Sequence, residues 1–435
     1  MSPSVPVPSP HQGGASTDPL THRVLRARVT VNGCDGTPLR DTDVVVEQRR
    51  HAFAFGNIGF DFVGLANGET SAAGNVFGGA EPDAAARLVD LWLDVFNTAT
   101  LPFYWQGFEP VRGKPQTDRL LATARWLQAR GVATKGHPLV WHTLAPTWLD
   151  DLPDAELEEA VRARIRREVS DFRGLVPTWD VINEVVIMPV FDNEETTNAL
   201  TRLCRGRGRL ATVRLAFDEA RQADPRATLV LNDFDMSTAY ECLVEGVLEA
   251  GIEIDAIGLQ SHMHQGYWGE DRTLAVLDRF ARYGLPLHLS ETTLVSGDEM
   301  PAHIEDLNDY QPEQWPSTTE GEQRQADEIV RHYRTLLSHP SVEAVTYWGI
   351  TDAGAWLGAP SGLVRADGTR KPAYDALRRL VKEEWWLPPT YARTDERGSV
   401  VVHGWAGAYS VTTPDGSAAF ELAADRPELD VVVEK

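Results

Sequence analysis

Eight short apolar runs, separated by stretches with helical periodicity, constrain the fold of this chain more tightly than any other feature. The runs lie at 52–57, 95–100, 133–140, 178–184, 228–233, 256–262, 286–291 and 344–349. Between them, residues 118–130 set Leu120, Leu121, Ala124 and Leu127 at helical spacing before Gly131 stops the pattern, and 212–222, 243–250 and 274–282 behave alike. A last helix starts after Lys371-Pro372 and runs through Tyr374, Leu377 and Leu380. Eight strands alternating with helices over roughly 250 residues or more predict an α/β fold of the (β/α)8 TIM-barrel type. A doubly wound sheet is the competing arrangement, but no glycine-rich phosphate loop follows the first strand.

The two ends of the chain read differently. Residues 24–31 alternate apolar and polar, Gly33-Cys34-Asp35-Gly36 makes a turn, and 42–48 form a second strand. Toward the other end, 399–402, 408–412, 418–422 and 429–433 are short strands split by Gly, Pro and Asp turns. An isolated hairpin is marginal in water, so the termini are expected to meet in one small accessory all-β module. The predicted order is a tail at 1–22, the first part of the module at 23–50, the barrel at 51–386 and the second part of the module at 387–435. Glu383-Glu384-Trp385-Trp386-Leu387-Pro388-Pro389 is the expected junction, with its tryptophans between module and barrel. Trp405 and Tyr409 are the module's candidate sugar platforms, and both fit a small core equally well.

The first 22 residues are rich in Pro, Ser and Gly with no apolar run, which reads as disorder and not as a secretory signal. No later stretch has the length of a membrane span. The expectation is therefore a cytoplasmic protein, with secretion as the alternative should a leader precede this sequence. A formal net charge of -23 argues against nucleic acid and anionic membranes as partners. Three cysteines, Cys34, Cys204 and Cys242, give no disulfide framework.

In a barrel of this kind the residues at the strand C-termini build the site. Those positions hold His137, Trp141 and His142 after the third strand, Asn183 and Glu184 after the fourth, and Asn232-Asp233 after the fifth. Gln260, Ser261 and His262 follow on the sixth, Glu291 on the seventh and Trp348 on the eighth, with Trp356 in the loop beyond. Indoles stack on the apolar faces of pyranoses, amides and imidazoles bind hydroxyls, and two carboxylates can cleave a glycosidic bond. A lone strand-end Glu is as well read as the partner of an arginine, but two in this company point to sugar chemistry. His262-Met263-His264 could suggest a metal site, yet strand alternation makes a shared ligand sphere unfavourable once the strand ends at His262, and neither metal nor cofactor is expected.

The motifs that stand in this order are Gly136-His137-Pro138-Leu139-Val140-Trp141-His142, Trp179-Asp180-Val181-Ile182-Asn183-Glu184, Asn232-Asp233-Phe234, Gly258-Leu259-Gln260-Ser261-His262, Ser290-Glu291 and Thr346-Tyr347-Trp348-Gly349 before Thr351-Asp352. In this order the chain resembles glycoside hydrolase family 10, the xylanase family of retaining (β/α)8 enzymes, over about 51–380. The resemblance implies Glu184 as acid/base, Glu291 as nucleophile, and Asn183 as the ligand of the hydroxyl beside the anomeric carbon. It also implies that Gln260 and His262 hold Glu291, that His137 and Trp141 line the subsite of the cleaved sugar, and that Trp348 and Trp356 wall it. Asp180 and His142 are supporting residues, His142 being expected to bond to Asp180.

Independent of the resemblance, a nucleophilic carboxylate needs donors to stay ionised, and the acid needs burial and a neighbouring charge to keep its proton. The sequence also departs from the family. In xylanases the second strand ends in Glu-Asn-Glu-x-Lys-Trp, which grips the sugar at and beyond the cleavage point on the non-reducing side; here Thr100-Leu101-Pro102-Phe103-Tyr104-Trp105 stands instead. Thr143-Leu144 replaces Ser-Gln after His142, Thr292-Thr293 replaces Leu-Asp after Glu291, Tyr267 and Trp268 add aromatic bulk, and 296–325 is expected as a long loop over the mouth. The expected substrate is a β-linked oligosaccharide or small glycoside, with xylan itself disfavoured. A catalytically silent carbohydrate-binding barrel is the alternative.

Overall fold

In a computed structural model, residues 18–71, 80–191 and 198–434 are described. Most of the tail predicted at 1–22 lies outside that range, although Thr21–Arg23 form a single helical turn. The chain divides into two compact units, residues 54–377 and residues 1–53 together with 378–435.

The larger unit is a closed barrel of eight parallel strands: β3 (Ala54–Ile58), β4 (Thr98–Pro102), β5 (Ala133–His137), β6 (Thr178–Asn183), β7 (Thr228–Asp233), β8 (Ala256–Met263), β9 (Leu287–Leu294) and β10 (Val342–Tyr347). Strand β10 closes on β3, pairing Ala344 with Ala54 and Tyr347 with Asn57. The strands are buried on both faces, as a parallel sheet under a ring of helices requires. Helices Pro82–Val95, Thr117–Gln128, Asp154–Asp171, Arg209–Ala223, Thr238–Glu249, Glu270–Ala281 and Thr319–Ser338 stand between successive strands. The predicted second strand began at Val95, which instead closes the helix Pro82–Val95. The expected loop at 296–325 ends early, because Thr318 caps the helix Thr319–Ser338 by accepting from the Gly321 N–H. Among the described residues no helix is long and apolar enough to cross a membrane.

The smaller unit has two sheets, built from both ends of the chain. Strand β1 (Val24–Asn32) lies between β12 (Ser399–Trp405) and β15 (Glu428–Val432). Strand β2 (Asp43–His51) lies between β11 (Thr390–Arg393) and β13 (Gly407–Thr413), with β14 (Gly416–Leu422) beyond. Val29, Val31, Val46, Val402, Val411 and Leu422 share its core. Tyr409 is fully buried and donates to the Trp405 carbonyl at 2.7 Å, and Trp385 stacks on Trp405. Those rings are core, not sugar platforms. The division falls at 54 and 377, inside the 51–386 set from sequence. His51 belongs to the smaller unit because its ring Nε2 donates to the Val381 carbonyl and it packs edge-on to Trp386.

Candidate active site

Strand β6 carries the first carboxylate to the barrel mouth. Its Trp179 is wholly buried against Gly136, where a Cβ would stand 2.2 Å from the indole ring, so only glycine fits at 136. Beyond Asn183 the chain turns through a left-handed conformation at Glu184, with φ 56° and its N–H held by the Asn232 carbonyl at 2.9 Å. Such a conformation costs a non-glycine residue roughly 1–3 kcal/mol, a strain typical of functional sites. The turn leaves Glu184 with one oxygen accepting the Trp141 indole N–H at 2.8 Å. The other accepts amide N–H groups from Gln260 and Asn183, each at 3.1 Å. Burial, and then the charge of Glu291, pushes the Glu184 carboxyl up to about 8.

The second carboxylate, Glu291, stands inside β9 and not at its end, because that strand runs on to Leu294. Its Oε1 accepts from Asn232 Nδ2 at 3.0 Å and its Oε2 meets His262 Nε2 at 3.1 Å. His137 Nε2 lies 3.9 Å from Oε1, and His137 Nδ1 is held by Asp180 at 2.8 Å. Asp180 also binds Lys135 Nζ at 2.7 Å, a paired charge deep in the barrel. Burial alone would push Glu291 up, but the imidazoles of His137 and His262 outweigh it and hold this carboxyl below its ordinary range.

Three amides connect the two acids. Asn232 Nδ2 donates to Asn183 Oδ1 at 2.7 Å as well as to Glu291, and Gln260 Nε2 donates to Asn183 Oδ1 at 3.1 Å as well as to Glu184. Gln260 therefore serves Glu184, not Glu291 as expected from sequence, and Asn232 takes the Glu291 contact. A register shift between Leu259 and Gln260 sets Gln260 opposite Glu291 in the β8–β9 ladder, yet its amide reaches Glu184. Ser290 Oγ donates to Asn232 Oδ1 at 2.5 Å, and a Cβ at Gly258 would come within 2.3 Å of that oxygen. Chemically, one carboxyl keeps its proton near neutral pH while another stays ionised beside it, which is the division of labour between a general acid and a nucleophile.

The remaining expected residues divide. Trp348 is nearly buried, with its ring 5.2 Å from His137, while Trp356 is 37% exposed and lies 4.9 Å from His262. His142 does not meet Asp180: it packs 4.3 Å from Phe191, and burial lowers its pKa to about 3, so it stays neutral. Asp180 is already engaged by Lys135 and His137. Strand β8 continues past His262 to Met263, and the His262 and His264 rings stack 5.8 Å apart. Phe103 belongs to the core with Phe108, Phe172 and Trp179. The Arg331 guanidinium lies over the Tyr267 ring at 5.0 Å and that of Arg272 over the Trp268 ring at 4.8 Å. Sequence reasoning undervalued Asn232, Lys135 and Tyr104. Lys135 had a signal, being a charge in an apolar strand. Burial and then the charges of Glu291, Glu184 and Asp180 raise the Tyr104 phenol well above its ordinary value, which puts its hydroxyl in the field of the site.

Comparison with known proteins agrees with this geometry. The family profile described as Glycosyl hydrolase family 10 matches residues 97–380. Anti-sigma-I factor RsgI6 of Acetivibrio thermocellus is 26% identical over 316 residues, covering 71% of this chain but only 36% of that protein. Endo-1,4-beta-xylanase B of Thermotoga neapolitana is 26% identical over 331 residues, covering 72% of this chain and 88% of that enzyme. The solved structure of a GH10 protein from Paenibacillus barcinonensis superposes with a TM-score of 0.60 at 25% identity, covering 77% of this chain and 96% of that one.

Proposed function

Because the chain belongs to glycosyl hydrolase family 10, we propose that it hydrolyses β-glycosidic bonds with retention through a covalent glycosyl-enzyme. The observation that supports this reading is the split between Glu184, held protonated up to about 8, and Glu291, held ionised, across one shared amide network.

In the first step Glu291 attacks the anomeric carbon as the bond to the leaving oxygen breaks, and the Glu184 proton passes to that oxygen. The Glu291 charge disappears into an ester, so its upward push on Glu184 is removed. Glu184, now ionised, takes a proton from water as that water attacks the anomeric carbon and Glu291 leaves as carboxylate. Asn183, which lies at the centre of the amide network, would hold the hydroxyl beside the anomeric carbon. Among the substrates of a xylanase-like hydrolase, a β-linked oligosaccharide or small glycoside fits better than xylan. Thr100, Leu101, Pro102 and Leu144 offer none of the charged or amide contacts of a xylan grip. Each buried sugar hydroxyl left without such a partner forfeits about 1–3 kcal/mol. A silent binder would have no use for a carboxyl that keeps its proton to about 8.

Glu291→Ala is expected to abolish turnover of aryl β-glycosides, with azide restoring it as a glycosyl azide of inverted configuration. Glu184→Ala should still cleave glycosides with activated leaving groups and fail on poor ones. A wild type inert on a broad aryl β-glycoside panel would restore the silent-binder reading, and kcat/KM highest on polymeric xylan would overturn the substrate preference.

A further inference from the structure

Four aromatic side chains at the barrel mouth form a closed circuit. Tyr104 meets His137 at 5.4 Å, His137 meets Trp348 at 5.2 Å, Trp348 meets Phe60 at 5.8 Å, and Phe60 returns to Tyr104 at 5.9 Å. All four contacts are edge-on, with interplanar angles of 84°, 76°, 81° and 84°. Rings in T-shaped contact at these separations are packed against each other, with no space for a pyranose between them. The residues come from the ends of β3, β4, β5 and β10, which are consecutive in the barrel. Their burial matches: Phe60 is 2% exposed, Tyr104 7%, Trp348 8% and His137 1%. A sugar platform needs to offer a ring face to solvent before the sugar arrives, and none of these does.

The circuit stands on the nucleophile's flank. His137, one of its members, lies 3.9 Å from Glu291, whereas Glu184 is held by Trp141, Gln260 and Asn183. The sugar being cleaved sits over the nucleophile, and its leaving group departs past the acid. On the acid's flank, by contrast, a described aromatic ring faces solvent. Phe234 follows β7, whose Asn232 carbonyl holds the Glu184 N–H, and it is 49% exposed.

Taking the retaining hydrolysis above as given, we infer that this aromatic circuit, of which Tyr104 is one member, ends the glycone side after one sugar, so that the enzyme removes single sugars from non-reducing ends. The substrate class is then a β-glycoside with a monosaccharide glycone, whatever the size of its aglycone. Phe60 and His137 fix the Tyr104 ring edge-on from two sides, and Trp141 packs against it from a third at 5.5 Å. Accommodating a second glycone sugar would therefore require displacing a ring that is already fully packed.

The test compares initial rates of nitrophenol release from matched 4-nitrophenyl β-monoside and β-bioside, using the sugar that wild type cleaves fastest in an aryl glycoside panel. Wild type is expected to favour the monoside in kcat/KM by about tenfold or more, a usual reward for steric exclusion. From the bioside, free monosaccharide should appear first and nitrophenol only after a lag. Tyr104→Ala should raise direct nitrophenol release from the bioside, while Tyr104→Phe, which keeps the ring, should hold the wild-type ratio. Because the ratio is taken within one variant, a lower folded fraction does not move it. A wild type that prefers the bioside, or a ratio unchanged in Tyr104→Ala, overturns the inference and leaves retaining hydrolysis standing. Inertness on the whole panel removes the hydrolytic reading and this inference with it.

Discussion

At the scale of single residues, the site concentrates its electrostatic cost in Glu184. Folded, this carboxyl holds its proton to about 8, whereas its ordinary value is 4.5. Folding therefore takes up a proton between those values, and stability falls as pH rises through that window. Relative to Glu184→Gln, wild type is expected to lose on the order of 5 kcal/mol over that range, read as a Tm difference between the two proteins that widens with pH. A wild type and variant with parallel Tm profiles would contradict a raised Glu184. The same group is expected to set the alkaline limb of kcat/KM near pH 8, and Glu291, held low, is expected to set the acid limb below the usual carboxylate range. Both acids stood out in sequence because each follows an apolar strand run and the two occur together among strand-end amides, imidazoles and indoles. The partner of each amide was not legible. Gln260 was expected on Glu291 and reaches Glu184 instead, while Asn232, given no such role, takes the Glu291 contact, and no side-chain pattern announces those pairings.

At the scale of elements, strand β8 sets the amide network through a residue with no side chain. A methyl at Gly258 would stand 2.3 Å from Asn232 Oδ1, so Gly258→Ala must displace the amide that bridges Asn183 and Glu291. Misplacement of about 1 Å in a catalytic constellation can cost on the order of 100-fold. A loss of that order in kcat, with KM less affected, is expected; a Gly258→Ala variant that kept the wild-type kcat would show that the bridge is dispensable. Elements were legible where periodicity was strong. The helix Thr117–Gln128 appears within two residues of its expected start and end. The second strand was started too early, at 95, because Val95 ends the helix Pro82–Val95 yet continues an apolar run into the strand that follows, and only the backbone shows where one period gives way to the other.

At the scale of the whole molecule, each sheet of the smaller unit has a strand from the first fifty-odd residues at its interior. Strand β1 pairs Val24 with Trp405 and Arg28 with Glu428, and β2 pairs Val46 with both Thr390 and Val411. Removing 18–53 should strip amide-exchange protection from β12 and β13, whereas persistence of that protection would show that the C-terminal strands fold alone. The meeting of the termini was legible because neither set of alternating strands could bury a core by itself; the edge strand β11 was not, since Thr390–Arg393 is short and half exposed. Turnover is the property on which all scales converge, and its stereochemistry tests the double displacement most directly. Proton NMR of a fresh digest of an aryl β-glycoside, read before mutarotation, should show the β-anomer of the released sugar first. If the α-anomer appeared first, a single inverting displacement would be at work, and Glu291 could not be the nucleophile.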